Sequence, residues 1–331
     1  QLTNAPIRGD VTVRESLQWS LERPAVETFR FVGTTAFQEI AERMGLRFVE
    51  NEVGELTIGL TTALGETTVR LLDVVEAYGT IANSGQFVGL TAILQITDTN
   101  GVNVPLPEAP VPDQVLTPAV AYLMENILSD NATRAQQGSP FAGNGFMTID
   151  NRSEVTATKS GTTRNAAGNA VRDLWTVGFT NNYVVGVWMG AFDGAEIREN
   201  FSGSVHSADL WQRIIRFAVE RDQSLTQFQP PGNGTVIRSQ ICPLTGSVNG
   251  PCGQPLRNER FAQGRTPPDA NVVGQGIITQ ATIDSWTQLL ANQNCLQNQV
   301  TDVFVNINNS AAIEWINTTQ AGQNYARLLQ L

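Results

Sequence analysis

Residues 155–190 read VTATKSGTTRNAAGNAVRDLWTVGFTNNYVVGVWMG, and this stretch contains three successive strand patterns. Apolar and β-branched residues predict strands over Val155–Lys159, Leu174–Thr180 and Tyr183–Met189. The dipeptide Asn181-Asn182 is a signal for a tight hairpin, so the last two strands are expected to be antiparallel neighbours. The stretch therefore predicts a sheet with an antiparallel pair at its centre.

Helical patterns lie on both sides of these strands. Val13, Leu17 and Leu21 recur at helical spacing, and Thr117-Pro118 opens a further helix because Thr is a good N-cap and Pro suits the first turn. Another helix is predicted over Leu210–Ala218. Helices, then a hairpin, then a helix is an α+β order rather than a series of βαβ units.

The composition excludes several classes of function. The 331 residues carry a net charge of −10, which argues against a nucleic-acid partner, since such binders rely on a basic surface. His206 is the only histidine, which argues against most metal sites. A Ser-His-Asp triad would have to use His206 as its base. A surface or capping role is expected for His206. We expect no metal and no organic cofactor.

The run Lys159-Ser160-Gly161-Thr162-Thr163 is the densest local signal for chemistry, and Lys159 is the only lysine. A lysine followed by hydroxyls can bind a carboxylate, and the Thr162 N–H can contribute to an oxyanion hole. Gly161 lets another backbone approach closely. The alternative is an ordinary polar turn at the end of the strand Val155–Lys159.

Together with Arg172–Thr180 and Val184–Gly190, this run resembles the class A, bifunctional penicillin-binding proteins, which are serine acyl-transferases of the peptidoglycan layer. The resemblance covers roughly residues 5–265. Other matching stretches follow in the family's order: Val11–Leu17, Ser20–Val26, Gly59–Gly65, Ala77–Gly85, Val120–Leu123 and the cysteine module from Cys242 to Gly264. The resemblance implies a penicillin-binding, serine β-lactamase-like transpeptidase fold. In that fold an antiparallel sheet is flanked by helices, with a partial helical subdomain.

Three motifs define the chemistry of that family: S-x-x-K, S-x-N and K-T-G. The K-T-G motif corresponds to Lys159-Ser160-Gly161. By resemblance, Lys159 supplies electrostatics and the Thr162 N–H gives half of the oxyanion hole. The hydroxyls of Ser160 and Thr162 hold the terminal carboxylate of the substrate, and Gly161 and Thr163 complete the binding strand.

The S-x-N motif corresponds to Ser20-Leu21-Glu22, in which Ser20 is the proton-relay hydroxyl and Glu22 replaces the expected Asn. An amide can donate a hydrogen bond to a substrate carbonyl, whereas an ionised carboxylate cannot. Glu22 also places a negative charge near an incoming carboxylate. This departure from the motif predicts impaired turnover.

No S-x-x-K motif occurs in the sequence, because Thr156 stands three residues before the only lysine. The family carries its nucleophilic serine on that motif. We expect this chain to be a C-terminal piece of a longer protein whose nucleophile lies upstream; the alternative is a parent that has lost its nucleophile. The expected partners are thus the missing N-terminal segment of the same protein, peptidoglycan stem peptides and β-lactams.

The resemblance implies a D,D-transpeptidase that cross-links stem peptides in cell-wall biosynthesis. The parent would be fused to an upstream peptidoglycan glycosyltransferase and lie at the extracytoplasmic face of the bacterial plasma membrane. Two other functions remain open: a non-catalytic pseudoenzyme that binds peptidoglycan or a partner, and a D,D-carboxypeptidase or β-lactamase-like hydrolase.

Two domains are expected along the chain. Residues 1–224 form the transpeptidase domain without its S-x-x-K segment, and residues 225–331 form a C-terminal extension with an Asn- and Gln-rich tail. Cys242 and Cys252 flank a short loop rich in Gly and Pro within this extension. The pair is a disulfide candidate in an exported protein, and two free thiols in a cytosolic one.

Overall fold

The computed structural model describes most of the first 242 residues and less of the remainder. The described residues are 11–50, 54, 56, 58–108, 111–136, 139–150, 152–165, 170–197, 201–242 and shorter stretches between 246 and 323. The chain divides into two compact units, one of Val13–Gly232 and one of Gln1–Thr12 with Asn233–Leu331. The expected division after residue 224 into a transpeptidase domain and an extension stays a prediction.

The first unit contains helices and antiparallel strands. The helices described there are α1 (Val13–Gln18), α2 (Glu22–Val32), α3 (Thr34–Arg43), α4 (Leu71–Ala82), α5 (Pro118–Leu128), α6 (Asn131–Arg134) and α7 (Ala208–Asp222). The strands are β1 (Gln86–Phe87), β2 (Ile96–Thr97), β3 (Asn103–Val104), β4 (Asp113–Gln114), β5 (Ala157–Arg164), β6 (Val171–Phe179) and β7 (Val184–Gly190). The α+β class is confirmed.

The sheet that carries the Lys159 motif has the strand order β5-β6-β7, with antiparallel neighbours throughout. The predicted hairpin is confirmed: Thr180 N donates to Tyr183 O at 2.8 Å across Asn181-Asn182. In the register of β5 and β6, Lys159 lies opposite Val177 and Thr162 lies opposite Leu174.

One predicted strand had the wrong bounds. The strand expected over Val155–Lys159 begins at Ala157 and continues to Arg164, so the Lys159 motif lies inside the strand and not at its end. The reason is the partner strand, since β6 supplies paired positions along the whole of 157–164. Ladder pairing therefore outweighs the polar character of this sequence.

Helices cover both faces of this sheet. On one face, α7 buries Trp211, Ile215 and Val219, which follow each other at intervals of four residues and pack with Ile149 and Val187. On the other face, α4 lies so close to β7 that a Cβ at Gly186 would meet side chains of that helix. Burial of each large apolar side chain contributes about 1.5–3 kcal/mol, so these contacts fix the position of the sheet.

The helix predicted at Thr117-Pro118 is also confirmed. Thr117 is the N-cap of α5, its hydroxyl accepts a hydrogen bond from Val120 N at 3.3 Å, and Pro118 occupies the first turn. Helix α5 contacts α1, α4 and β5. It therefore joins the helical part of the unit to the strand that carries Lys159.

The second unit contains two antiparallel pairs and a helix among its described residues. They are β8 (Val236–Ile241) with β9 (Arg257–Ala262), β10 (Ile278–Asp284) with β11 (Gln299–Val305), and α8 (Ser310–Thr318). Across the described parts of the chain, no helix combines the length and the apolar character needed to cross a membrane.

Candidate active site

Ser20 ends α1 in a conformation that most residues avoid. Its φ is 54°, in the left-handed region. Leu21 N donates to Ser16 O at 2.9 Å and Ser20 N donates to Leu17 O at 3.2 Å. These two bonds form a Schellman motif with Ser20 at the C′ position, where glycine is usual. A serine held there at an energetic cost indicates that its hydroxyl has a use.

Helix α1 is held against α5, which directs Ser20 toward the sheet. Arg14 Nη2 donates to Asn126 Oδ1 at 2.7 Å, and Arg14 Nη1 donates to Asn126 O at 3.2 Å. One turn later, the Gln18 side-chain amide donates to the carbonyl of Ile127. All these groups are partly buried, so the bonds compete little with water.

Lys159 is half-buried in β5 and reaches the end of α1. Its Nζ donates to Ser20 Oγ at 2.5 Å and to Ser160 O at 2.8 Å. Burial and, to a smaller degree, the nearby Arg134 guanidinium lower the pKa of Lys159 from 10.5 to about 8. Lys159, with its lowered pKa, is thus hydrogen-bonded to the hydroxyl of Ser20.

The other residues of the Lys159 motif follow along β5. Ser160 is buried and lies opposite Thr176, whereas Thr162 is exposed and lies opposite Leu174. Because side chains alternate along a strand, Ser160 and Thr162 share one face, and Lys159, Gly161 and Thr163 share the other. The motif therefore presents its lysine to Ser20 and two of its hydroxyls to the opposite face.

A turn before α7 supports the face that Ser160 and Thr162 share. Gly203 N donates to Thr162 Oγ1 at 3.1 Å, and Gly203 O accepts from Thr176 Oγ1 at 2.9 Å. A Cβ at Gly203 would collide with the carbonyl oxygens of Gly161 and Trp175. Only glycine allows this approach. Gly203 was not among the site residues predicted from the sequence, although the sequence places it shortly before α7.

Glu22, which replaces the expected Asn, is the first residue of α2 and is exposed. It lies two residues after Ser20, on the segment that faces Lys159. A carboxylate at the N-terminus of a helix is favoured by the helix dipole. The structure thus accommodates Glu22 without changing the backbone that presents Ser20.

His206 lies in the turn before α7 and not in the Ser20–Lys159 contact. Ser202 N donates to His206 Nδ1 at 3.1 Å, so His206 takes the capping role that was expected. Cys242 is disulfide-bonded; Cys252, its predicted partner, lies outside the described residues. In the described part of the chain, no cluster of three or more His, Cys, Asp or Glu side chains is arranged to hold a metal ion.

Comparisons with known proteins show the family of this chain. Residues 3–214 match the family model of the penicillin-binding protein transpeptidase domain. Penicillin-binding protein 2D of Bacillus subtilis (strain 168) is 28% identical over 263 residues, which cover 79% of this chain and 35% of that protein. Penicillin-binding protein 1A of Neisseria gonorrhoeae is 29% identical over 230 residues, covering 68% of this chain and 26% of that protein. The chain thus spans between a quarter and about a third of these relatives.

Solved structures share the fold. Penicillin-binding protein 1A of Haemophilus influenzae superposes with a TM-score of 0.62 at 19% identity, covering 78% of this chain and 41% of that one. PonA1 of Mycobacterium tuberculosis, solved in complex with penicillin V, gives a TM-score of 0.51 at 22% identity, covering 66% of this chain and 58% of that one. The family match includes both Ser20 and Lys159, and the chain belongs to the penicillin-binding protein transpeptidase family.

Proposed function

We propose that this chain forms the Ser20–Lys159 side of a D,D-transpeptidase active site that cross-links peptidoglycan stem peptides. The observation that carries the proposal is the 2.5 Å contact between Lys159 Nζ and Ser20 Oγ. In the reaction, a serine attacks the D-Ala-D-Ala amide and D-alanine leaves with a proton. The amine of a second stem peptide then attacks the acyl ester and regenerates the serine.

Ser20 is the proton relay in this proposal. A hydroxyl has one proton to donate and two lone pairs to accept. When Lys159 donates to Ser20 Oγ, the Ser20 proton is free to point into the cleft and pass to the leaving amine. The lowered pKa of Lys159, about 8, brings the lysine close to the pH at which the relay operates.

Ser160 and Thr162 bind the terminal carboxylate of the substrate. Because Thr162 Oγ1 accepts from Gly203 N, its own proton is available to a carboxylate. The Thr162 N–H supplies half of an oxyanion hole, and Gly161 and Thr163 complete the strand along which the substrate lies. Lys159, whose side chain is on the other face of β5, attracts the same carboxylate only through the field of its positive charge.

The nucleophile comes from an S-x-x-K segment of the same protein, since the 331 residues contain no such motif. The segment completes the cleft beside Ser20 and Lys159, and β-lactams acylate its serine. The penicillin V complex of PonA1 supports β-lactam binding by this fold. The resemblance to class A proteins supports an upstream glycosyltransferase and a location at the extracytoplasmic face of the plasma membrane.

A second candidate is a pseudoenzyme that binds stem peptides without chemistry, and Glu22 favours it. With a carboxylate in the place of the amide donor, the cleft cannot donate a hydrogen bond from this position to the substrate carbonyl. The substrate then binds through Ser160 and Thr162 while acylation is slow.

One assay separates these functions. The full-length protein is incubated with a stem peptide ending in D-Ala-D-Ala and an amine acceptor, and D-alanine and cross-linked peptide are measured by mass spectrometry. A transpeptidase produces both. D-Alanine without cross-links indicates a carboxypeptidase. The absence of both products would contradict catalysis. Ser20→Ala is expected to abolish turnover, whereas Ser84→Ala, at an exposed serine with φ of 55°, is expected to retain it.

A further inference from the structure

The short helix α6 is hydrogen-bonded to both sides of the Ser20–Lys159 contact. Trp19, the residue before Ser20, donates from Nε1 to Thr133 O at 2.9 Å. Thr158, the residue before Lys159, accepts at its carbonyl from Arg134 Nη2 at 3.2 Å. The two sides of the contact are thus bonded to adjacent residues of one helix.

Helix α6 is itself fixed by Asp130. The Asp130 carboxylate caps the helix by accepting from Thr133 N at 3.0 Å and from Thr133 Oγ1 at 2.7 Å. Arg14 of α1 contacts the same carboxylate at 3.2 Å, with both side chains mostly buried. Any movement of α6 would therefore move the end of α1 as well.

Arg134 is a buried cation, with 1% of its surface exposed. Besides Thr158 O, its guanidinium donates to Leu128 O at 2.6 Å and to Met147 O at 3.0 Å. The three carbonyls belong to α5, to the loop after α6 and to β5. Burial lowers the pKa of Arg134 to about 10, with Asp130 opposing the shift, so the group stays charged at neutral pH.

A buried charge costs several kcal/mol unless hydrogen bonds replace its water. Arg134 has three such bonds from Nη1 and Nη2, whereas its buried Nε has no hydrogen-bond partner in the described part of the chain. An apolar side chain of similar size would fill the space without that cost. What an apolar side chain could not do is donate hydrogen bonds to three carbonyls and place a positive charge near Lys159.

We propose that Arg134 is a positioning residue of the active site, which sets the contact between Ser20 Oγ and Lys159 Nζ through the backbone next to Lys159. It fixes the strand before Lys159, while its neighbour Thr133 fixes the segment before Ser20. The inference rests on the proposed function, in which this contact relays a proton.

The charge of Arg134 has a second effect on the same contact. Among the described residues, burial is the larger cause of the lowered pKa of Lys159, and the charge of Arg134 is the other. Ser20 faces Lys159 from the end of α1 and is uncharged at neutral pH. Removing the charge of Arg134 would remove this repulsion and leave the Thr158 carbonyl without its guanidinium donor, and the loss of repulsion raises the pKa of Lys159.

The chain offers a direct test, because Lys159 is its only lysine. In the 331-residue chain labelled with [ε-13C]lysine, a single side-chain resonance reports the titration of Lys159. The midpoint is expected near 8 in the wild-type chain and higher in Arg134→Met, but below 10.5, because burial, the larger cause of the lowered pKa, remains. Arg216→Met, which removes an arginine paired with Asp150 on the surface of α7, is the matched control and is expected to leave the midpoint unchanged.

A midpoint that stays near 8 in a folded Arg134→Met protein would overturn the proposal, because a merely structural arginine changes stability and not this titration. If Arg134→Met does not fold, Trp19→Phe decides. That change removes the bond to Thr133 O and one ring of the indole, while the charge of Arg134 stays, so the midpoint is expected to rise by less. Trp188→Phe, which removes the bond from Trp188 Nε1 to Asp173, is its control.

An unchanged midpoint in Trp19→Phe would then overturn the proposal. The titration requires no acylation, so its result is independent of whether the full-length protein is a transpeptidase. A wild-type midpoint near 10.5 would refute the positioning by Arg134 even if the protein forms cross-links.

Discussion

Ser20 and Lys159 lie 139 positions apart in the chain, and their side chains meet at 2.5 Å. Each residue depends on a different element, since Ser20 ends α1 and Lys159 lies within β5. The contact therefore requires that the helical part and the sheet be held together, which α5 and α6 do.

Ser20→Gly is expected to stabilise the fold while it destroys the relay. Glycine adopts φ of 54° freely, and removing the strain of a left-handed serine is expected to raise the free energy of unfolding by up to about 1 kcal/mol. Thermal unfolding and penicillin acylation of the full-length protein measure the two effects. Ser84→Gly, with φ of 55°, is expected to stabilise without affecting acylation. Undiminished acylation in Ser20→Gly would show that the hydroxyl has no role.

Glu22→Asn is expected to accelerate acylation, because it restores an amide donor and removes a negative charge from the cleft. One hydrogen bond of about 1–1.5 kcal/mol corresponds to roughly a tenfold change in rate. Stopped-flow measurement with a fluorescent penicillin tests this. Glu27→Gln, at an exposed position of the same helix, is the control. A slower reaction in Glu22→Asn would mean that the carboxylate itself serves the site.

Gly203→Ala is expected to disrupt the carboxylate-binding face of β5. The added Cβ would collide with the carbonyls of Gly161 and Trp175, and overpacking of this kind costs about 1–3 kcal/mol. The midpoint of urea unfolding is expected to fall, and the affinity for stem peptide is expected to fall with it. Gly232→Ala, where the added Cβ meets no atom within 4 Å, should change neither. Equal behaviour of the two variants would contradict the close approach.

Glu125 on α5 makes stability depend on pH. Burial raises the pKa of Glu125 from 4.5 to about 7, so between these values the folded chain binds more protons than the unfolded chain. The stability of the wild-type chain relative to Glu125→Gln is therefore expected to fall as pH rises from 4.5 through 7. Urea unfolding at several pH values measures this. A stability difference between the wild-type chain and Glu125→Gln that stays constant from pH 4.5 to 7 would contradict the assignment.

The sequence signals that predicted structure correctly were local ones. The turn at Asn181-Asn182 and the cap at Thr117 are each decided by neighbouring residues, and both are confirmed. The family motifs indicated Ser20 and Lys159 before the structure brought them together. Their catalytic roles stay proposals.

The features that were missed depend on distant partners. Arg134 and Thr158 are 24 positions apart, and Gly203 and Thr162 are 41 positions apart, so no window of sequence reveals either pair. The left-handed φ of Ser20 could not be predicted from the sequence, because the residue usually found in that conformation is glycine and not serine. The true extent of β5 depended on β6, which lies later in the chain.

The central claim is that Ser20 and Lys159 belong to a cleft that penicillin acylates. The most direct measurement is the intact mass and peptide map of the full-length protein after incubation with benzylpenicillin, for wild type and Lys159→Met. The account predicts one penicilloyl adduct, on a serine outside these 331 residues, which forms at least about tenfold more slowly in Lys159→Met. An adduct on a serine of this chain, an unchanged rate in Lys159→Met, or no adduct at all would contradict it.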